Sequence, residues 1–225
     1  MQVRERLPKE PYVITISRQM GSYGQIIAEA AAYKLGYRLV WRELINAAAH
    51  RIGKPEVALA AIDELGLLGI CPSRQDCLDF QQAVYEVIHE LAEEGNVVIV
   101  GRASQAILHG NPRTIHIRII APVKVRAKRI ARTHNLTMRD ALKQVRASDR
   151  YRRRYLKRHY KVRWNDPELY DLVINTARVN PQTAARLIYD TLQGRLAHPA
   201  HAGPSPQETT LEPLRPTSES SIRSP

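Results

Sequence analysis

Tyr12-Val13-Ile14-Thr15-Ile16-Ser17, then Arg18-Gln19-Met20-Gly21-Ser22-Tyr23-Gly24-Gln25, then the alanine-rich run Ile26–Leu35, is the stretch on which the fold turns. Its first six residues are mostly β-branched and read as a strand. Gly21 and Gly24 break that strand, and the alanine-rich run reads as a helix. A strand fed through a glycine-bearing turn into a helix opens a parallel sheet, because the helix is the crossover that parallel pairing needs. Working outward, Arg38-Leu39-Val40 is a short second strand, followed by helices from about Glu43 to Arg51, over 54–69, and from about Asp76 to Glu94, where Gly95 supplies a stop. Val97-Val98-Ile99-Val100 is apolar without alternation, as in a strand buried on both faces. Thr114–Ile120 is a fourth strand, with Pro122 suited to a helix's first turn. Thr137 and Asp140 form a capping pair for a helix entering a basic region, Tyr170–Asn175 is a fifth strand, and Asn180-Pro181 caps a last helix to about Leu196. The pattern predicts a three-layer α/β domain, a five-stranded parallel sheet flanked by helices.

The domain is expected to span 1–196, with a disordered proline-rich tail over 197–225. That tail holds six prolines, no aromatic residue and no apolar periodicity. With 44% hydrophobic and 25% charged residues, the 225-residue chain has the balance of a soluble globular protein. It lacks the ~18–20 apolar residues of a membrane helix, and its first residues have no signal-peptide core, so a cytoplasmic location is expected. Cys71 and Cys77 are too few for a disulfide framework or a cysteine-rich metal site and read as reduced apolar residues. The charge stands out: 34 Lys+Arg against 22 Asp+Glu give +12. The tail carries two arginines against three glutamates, so the positive excess belongs wholly to the domain and favours an anionic partner.

In such sheets ligands bind beyond the carboxyl ends of the strands. The turn 17–25 can aim backbone N–H groups and a helix's positive end at a phosphate, with charge from Arg18, or it can merely shape a strand-to-helix turn. A P-loop, G-x-x-x-x-G-K-[ST], registered on this strand puts its four defined positions on Arg18, Tyr23, Gly24 and Gln25. None matches, so neither the lysine nor the magnesium-holding hydroxyl is present. Arg102, just after the buried strand, is placed to grip a phosphate or a carboxylate bidentately, or to tie down a helix end. From Arg146 to Arg163 run nine basic residues opposed only by Asp149. The arginines at 150, 152, 153 and 154 are expected to cover several sides of a helix, an arrangement that calls for an anion: nucleotide phosphates beneath a mobile segment, or a nucleic-acid backbone. Tyr151, Tyr155, Tyr160 and Trp164, interleaved with them, either stack on bases or anchor the helix, and the second reading is preferred.

Five stretches together resemble the cytidylate kinase-like family of nucleoside monophosphate kinases. They are Ile14-Thr15-Ile16-Ser17-Arg18-Gln19-x-Gly21-Ser22-x-Gly24; Arg42-Glu43-Leu44-Ile45; Val98-Ile99-Val100-Gly101-Arg102; Asp149-x-x-Arg152-x-x-Tyr155; and Trp164-x-Asp166-Pro167-x-x-Tyr170-Asp171-Leu172-x-Ile174-Asn175-Thr176. The resemblance implies a phosphate-binding first turn, a substrate region and an arginine-bearing lid, with ATP, Mg²⁺ and a cytidine monophosphate (CMP or dCMP) as ligands. It implies that Gln19, Gly21, Ser22, Tyr23, Gly24 and Gln25 hold the ATP phosphates. Arg42, Arg102 and Asp149 would face the acceptor, with Arg146, Arg150 and Arg153 in a lid over 146–163. Arg18 and Arg152 would be the catalytic charges, and no metal is assigned to a protein site. Where the family's first turn reads Gly-Ser-Gly-Gly-Arg, this chain has Tyr23 as the third residue and Gln25 as the last. Trp41 and Ala103 stand where the family carries aspartates. The leading expectation is a kinase whose arginines replace the missing lysine. The alternatives are an inert nucleotide binder on the same fold and a nucleic-acid-binding module using the basic helix.

Overall fold

A computed structural model describes residues 12–41, 43–53 and 74–197. The expected helix over 54–69, Arg42, Cys71, the Cys77 side chain and all but the first residue of the expected tail lie outside the described residues.

Five parallel strands form one sheet in the order β2-β3-β1-β4-β5. They are β1 (Val13–Arg18), β2 (Arg38–Val40), β3 (Val97–Val100), β4 (Thr114–Ile120) and β5 (Leu172–Asn175). The helices are α1 (Gly24–Leu35), α2 (Glu43–Arg51), α3 (Arg74–Glu94), the one-turn α4 (Ser104–Ile107), α5 (Val123–Thr133), α6 (Met138–Tyr160) and α7 (Pro181–Ala197). The fold is as expected, with small shifts. α1 begins at Gly24, two residues early, and β5 is two residues shorter than expected, because Tyr170 ends the short turn Pro167–Leu169 and is drawn into a side-chain cluster described below.

β1 pairs with β3 on one side, Ile16 opposite Val100, and with β4 on the other, Ser17 opposite Arg118. The alternating residues Ile14, Ile16, Val98, Val100, Ile115, Ile117 and Ile119 bury one face of the sheet against α1 and α7. Val13, Val97 and Ile99 bury the other against α2, α3 and α4, together with Leu156, Tyr160 and Trp164. A smaller cluster, Ala127, Ile130, Ala141 and Val145, joins α5 to α6. After β1 the chain turns onto the first face, and after the neighbouring β3 onto the second. The crevice opened by two adjacent strands whose continuations diverge is where ligands bind in open α/β sheets.

Candidate functional site

The first turn is held from behind. Arg126 Nη1 donates to Met20 O at 3.3 Å, Arg129 Nη1 to Gly21 O at 3.2 Å, and Thr176 Oγ1 to Ser22 O at 3.0 Å. A planar trans peptide points its N–H opposite its C=O, so the amides of Gly21 and Tyr23 face the other way, into the turn. The amides of Gly24, Gln25 and Ile26 have no acceptor within α1, whose first internal bond runs from Ile27 N to Tyr23 O at 3.0 Å, and no side chain caps the helix. These donors and the helix dipole converge on one spot suited to phosphate oxygens.

The side chains of the turn divide their work. Gln19 accepts from Ala121 N at 3.0 Å and Ser22 Oγ donates to Gln19 O at 2.8 Å, so both brace the turn. Gln25 donates to Glu29 at 3.0 Å, along α1. Gly21 has φ 76°, and a Cβ there would sit 2.7 Å from Arg126 O, so α5 backs directly onto the turn. Tyr23 adopts the left-handed region at φ 63°, a conformation costing about 1–2 kcal/mol for a residue with a Cβ. Its ring swings out beneath the Arg129 guanidinium, 3.9 Å from the ring centroid, which keeps it off the backbone that faces the phosphate spot.

Gly24 stands at the register of the P-loop lysine, and its emptiness is filled by a neighbour. A Cβ built there would lie 2.4 Å from Arg18 Cβ and 2.8 Å from Arg18 Cγ. The Arg18 chain runs on until Nη1 lies 2.2 Å from the Cβ position of Gly101, and its guanidinium faces the Trp41 ring at 5.8 Å. One cation therefore spans the carboxyl ends of β1, β3 and β2.

The second turn is the more strained. Gly101, Arg102 and Ala103 have φ of 82°, 56° and 58°, three left-handed residues in succession. Such strain persists where surrounding structure fixes it and gathers at functional sites. Arg102 is half-buried, and burial pulls its pKa down to about 10; Tyr155 acts against the fall and the charge of Arg152 adds to it. The charge of Arg152, from α6, thus reaches Arg102 at the second turn, and Arg152 is steadied by Ser148 Oγ. Two like charges in partial burial are costly on their own and suit a doubly charged anion.

Asp149 lies behind the first turn. It forms a bidentate pair with Arg126, 2.7 and 3.1 Å, with side-chain exposures of 3% for Arg126 and 11% for Asp149. Arg126 also donates to Ala121 O, so the pair clamps α6 and α5 onto the turn. Of the arginines expected to encircle the helix, only Arg152 leaves the outer side: Arg146, Arg150, Arg153 and Arg154 are all exposed. At 3.6 residues per turn, positions 146, 150, 153 and 154 share one face and 152 does not. Tyr160 and Trp164 are buried anchors, as preferred, and Trp164 Nε1 donates to Ser17 Oγ at 2.9 Å.

Several residues around the site carry no sequence signal. Arg118, on β4, is 4% exposed and lies between the Trp164 and Tyr170 rings, at 4.3 and 5.2 Å, donating to Tyr170 Oη, Asn165 Oδ1 and Trp164 O. Arg126 and Arg129 look like ordinary helix charges, and only their spacing of three hints at a shared face. Thr176, at the end of the stretch from Trp164, takes two bonds from Arg129.

For donor phosphates the turn fits. For magnesium it does not: the Ser22 hydroxyl and the Asp149 carboxylate are engaged, and no group of three or more His, Cys, Asp or Glu forms a metal site among the described residues. No helix among the described residues is long and apolar enough to cross a membrane.

The profile of the cytidylate kinase-like family matches residues 13–178. The chain is 27% identical to a cytidylate kinase of Pyrococcus horikoshii over 176 residues, 78% of this chain and 85% of the relative. It is 29% identical to a cytidylate kinase of Methanothrix thermoacetophila, covering 74% and 89% of the two chains. In fold it resembles an uncharacterised protein from Eubacterium ventriosum (TM-score 0.66, 24% identity, 83% of this chain and 100% of that one). It also resembles a gluconokinase from Sinorhizobium meliloti (TM-score 0.56, 17% identity, 85% and 98%).

Proposed function

The chain belongs to the cytidylate kinase-like family, and from that premise we propose that it transfers the γ-phosphoryl group of ATP to CMP or dCMP. Membership supports a nucleotide-kinase-like phosphotransferase, and the cytidine acceptor follows the cytidylate kinases to which the chain is similar. In this reading the amides of 21 and 23–26 hold the donor's β- and γ-phosphates. An oxygen of the acceptor's phosphate attacks the γ-phosphorus in line, the bond to the β,γ-bridging oxygen breaks, and ADP leaves. No side chain acts as nucleophile, so the protein's contribution is alignment and neutralisation of charge spreading over the transferred oxygens. Arg18 supplies that charge from the donor side. Arg102 holds the acceptor's phosphate, and Arg152 beside it meets the group in flight. Arg146, Arg150 and Arg153 are the lid, and Asp149 acts on the acceptor side only through the clamp it makes with Arg126.

The observation that carries this reading is the exchange of space between Arg18 and Gly24: the stem of Arg18 occupies the start of the path a side chain at position 24 would take, and its guanidinium ends beside Gly101 at the second turn. The test is a coupled assay with ATP·Mg and a panel of monophosphates, beside calorimetry of ATP binding. Transfer to CMP or dCMP above all others is expected. Transfer to a different monophosphate replaces the acceptor and leaves the kinase. Binding of ATP without any transfer leaves an inert nucleotide binder, a reading favoured by Gln25 in the place of the metal-holding hydroxyl. Absence of ATP binding removes both.

A further inference from the structure

The outer side of α6 carries more charge, over a greater length, than a nucleotide pair can engage. Lys143, Arg146, Arg150, Arg153, Lys157 and Lys161 recur at intervals of four and three, all exposed, with Arg154 and Arg158 exposed beside them. From Lys143 to Lys157 the ridge measures roughly 21 Å at 1.5 Å per residue. Elsewhere on this protein surface several arginines are answered by acids: Arg38 by Glu94, Arg51 by Glu86 and Glu90, Arg186 by Asp190. On the ridge none is, among the described residues. The only acids of α6 are Asp140, bonded to Thr137 at the helix start, and Asp149, turned inward to Arg126. The lid role given to Arg146, Arg150 and Arg153 concerns phosphates gathered at one point and uses only the ridge's middle turns.

We propose that this ridge is a docking surface for the sugar–phosphate backbone of a double-stranded nucleic acid. Duplex DNA presents a charge about every 1.7 Å of axis, so a straight row of cations some 20 Å long meets a matching row of phosphates. The ridge's chemistry disfavours other anionic partners. A helix lying on a membrane needs an exposed apolar face, and of the apolar residues of α6, Ala141, Val145, Leu156 and Tyr160 are buried in the domain while Leu142 and Ala147 are half-buried. Met138, at its first residue, is the only large hydrophobic of α6 that is exposed. The same lack removes the apolar centre of a protein–protein interface. Single strands are gripped by stacking on open aromatic rings. Here Tyr160 and Trp164 are buried and Tyr151 and Tyr155 are half-buried. What remains is backbone binding without sequence preference.

The test titrates the full chain into a labelled DNA duplex of about 30 base pairs, across roughly 50 to 300 mM salt. Log affinity is expected to fall linearly with log salt, with a slope of roughly −0.9 for each phosphate neutralised. The variant Arg154→Gln, Lys157→Gln, Arg158→Gln, Lys161→Gln spares Arg146, Arg150 and Arg153, the lid residues given a role toward the nucleotides. It is expected to flatten that slope by roughly 3, lose at least about tenfold in affinity near 100 mM salt, and keep the parent's melting temperature. No duplex binding at the lowest salt overturns the proposal, as does a variant that binds as well as the parent. So does tighter binding to oligo-dT than to duplex, or equal binding to phosphatidylserine vesicles.

Discussion

At Gly24 the missing side chain is a requirement of Arg18, since a Cβ there would stand 2.4 Å from the arginine's own Cβ. The substitution that restores the P-loop lysine by itself, Gly24→Lys, is therefore expected to disorder the turn and weaken ATP binding. Combined with Arg18→Gly, which clears the space, the lysine has room, and binding is expected to recover part of the loss. A double-mutant cycle on ATP affinity reads that coupling, and additive losses would show that the two residues do not share the space. Arg18→Met keeps the stem and removes the charge, so turnover is expected to fall about 10²–10³-fold with a much smaller change in ATP affinity. Equal losses in both would make Arg18 a binding residue only. Across the crevice, Arg102→Ala is expected to cost monophosphate binding about ten- to a hundredfold, with ATP binding kept, as read by calorimetry. The sequence marked Arg18, Arg102 and Arg152 as candidates because each sits beside a strand end or in an unbalanced charge run. It could not show that Arg18 and Gly24 exchange space, which depends on where a side chain travels after leaving the backbone, nor that Tyr23 would swing out to Arg129.

Among the elements, the strands were the easiest to foresee. Val97–Val100 and Thr114–Ile120 lie in the sheet with the bounds their apolar runs predicted, because strands buried on both faces leave continuous signatures. The capping pair at Thr137 opens α6 as expected, with Asp140 N donating to Thr137 Oγ1 at 3.1 Å. Pairings between elements were not legible. The family resemblance implies that Asp149 faces the acceptor, yet the structure spends it on Arg126, a residue 23 positions away on α5. Removing one partner of a buried pair leaves the other charge without compensation, at a cost of about 3–5 kcal/mol. Asp149→Ala is accordingly expected to destabilise the domain by that amount in urea denaturation, a large share of the ~5–15 kcal/mol typical of a domain. An unchanged urea midpoint with a raised KM for the monophosphate would return Asp149 to the acceptor itself.

Across the whole molecule, one hydrogen-bonded network, buried at its Thr15–His116 end, runs over the neighbouring strands β1, β4 and β5 to the last helix. Thr15 of β1 bonds His116 Nδ1 of β4 at 2.7 Å, His116 N donates to Asp171 before β5 at 2.7 Å, and Asp171 pairs with Arg195 of α7. With Thr15 Oγ1 donating to Nδ1, the neutral ring carries its proton on the other nitrogen, and the Leu108 backbone pulls the pKa upward. Burial nevertheless dominates and pushes the His116 pKa down from 6.5 to about 4; Asp171 opposes the fall, while His109 and Arg195 add to it. The sign follows from proton counting. Above the ordinary 6.5 the ring is neutral folded and unfolded, and its contribution is whole. As pH falls from 6.5 toward 4, the unfolded chain takes up a proton that the fold refuses, so stability declines, by about 2 kcal/mol at pH 5 from this residue. His159, half-buried and also lowered to about 4, works in the same direction. A chain already at +12 gains further positive charge over the same range as its carboxylates protonate, so self-repulsion steepens the loss. Urea midpoints for the parent are expected to drop markedly between pH 7 and pH 5. In Thr15→Val, His116→Phe, which removes both hydrogen-bonding partners while keeping a ring in the core, about 2 kcal/mol of that drop is expected to disappear. If both proteins lose the same stability over that interval, His116 is not the group the fold keeps neutral, and the acid sensitivity belongs to His159 and the surface charge.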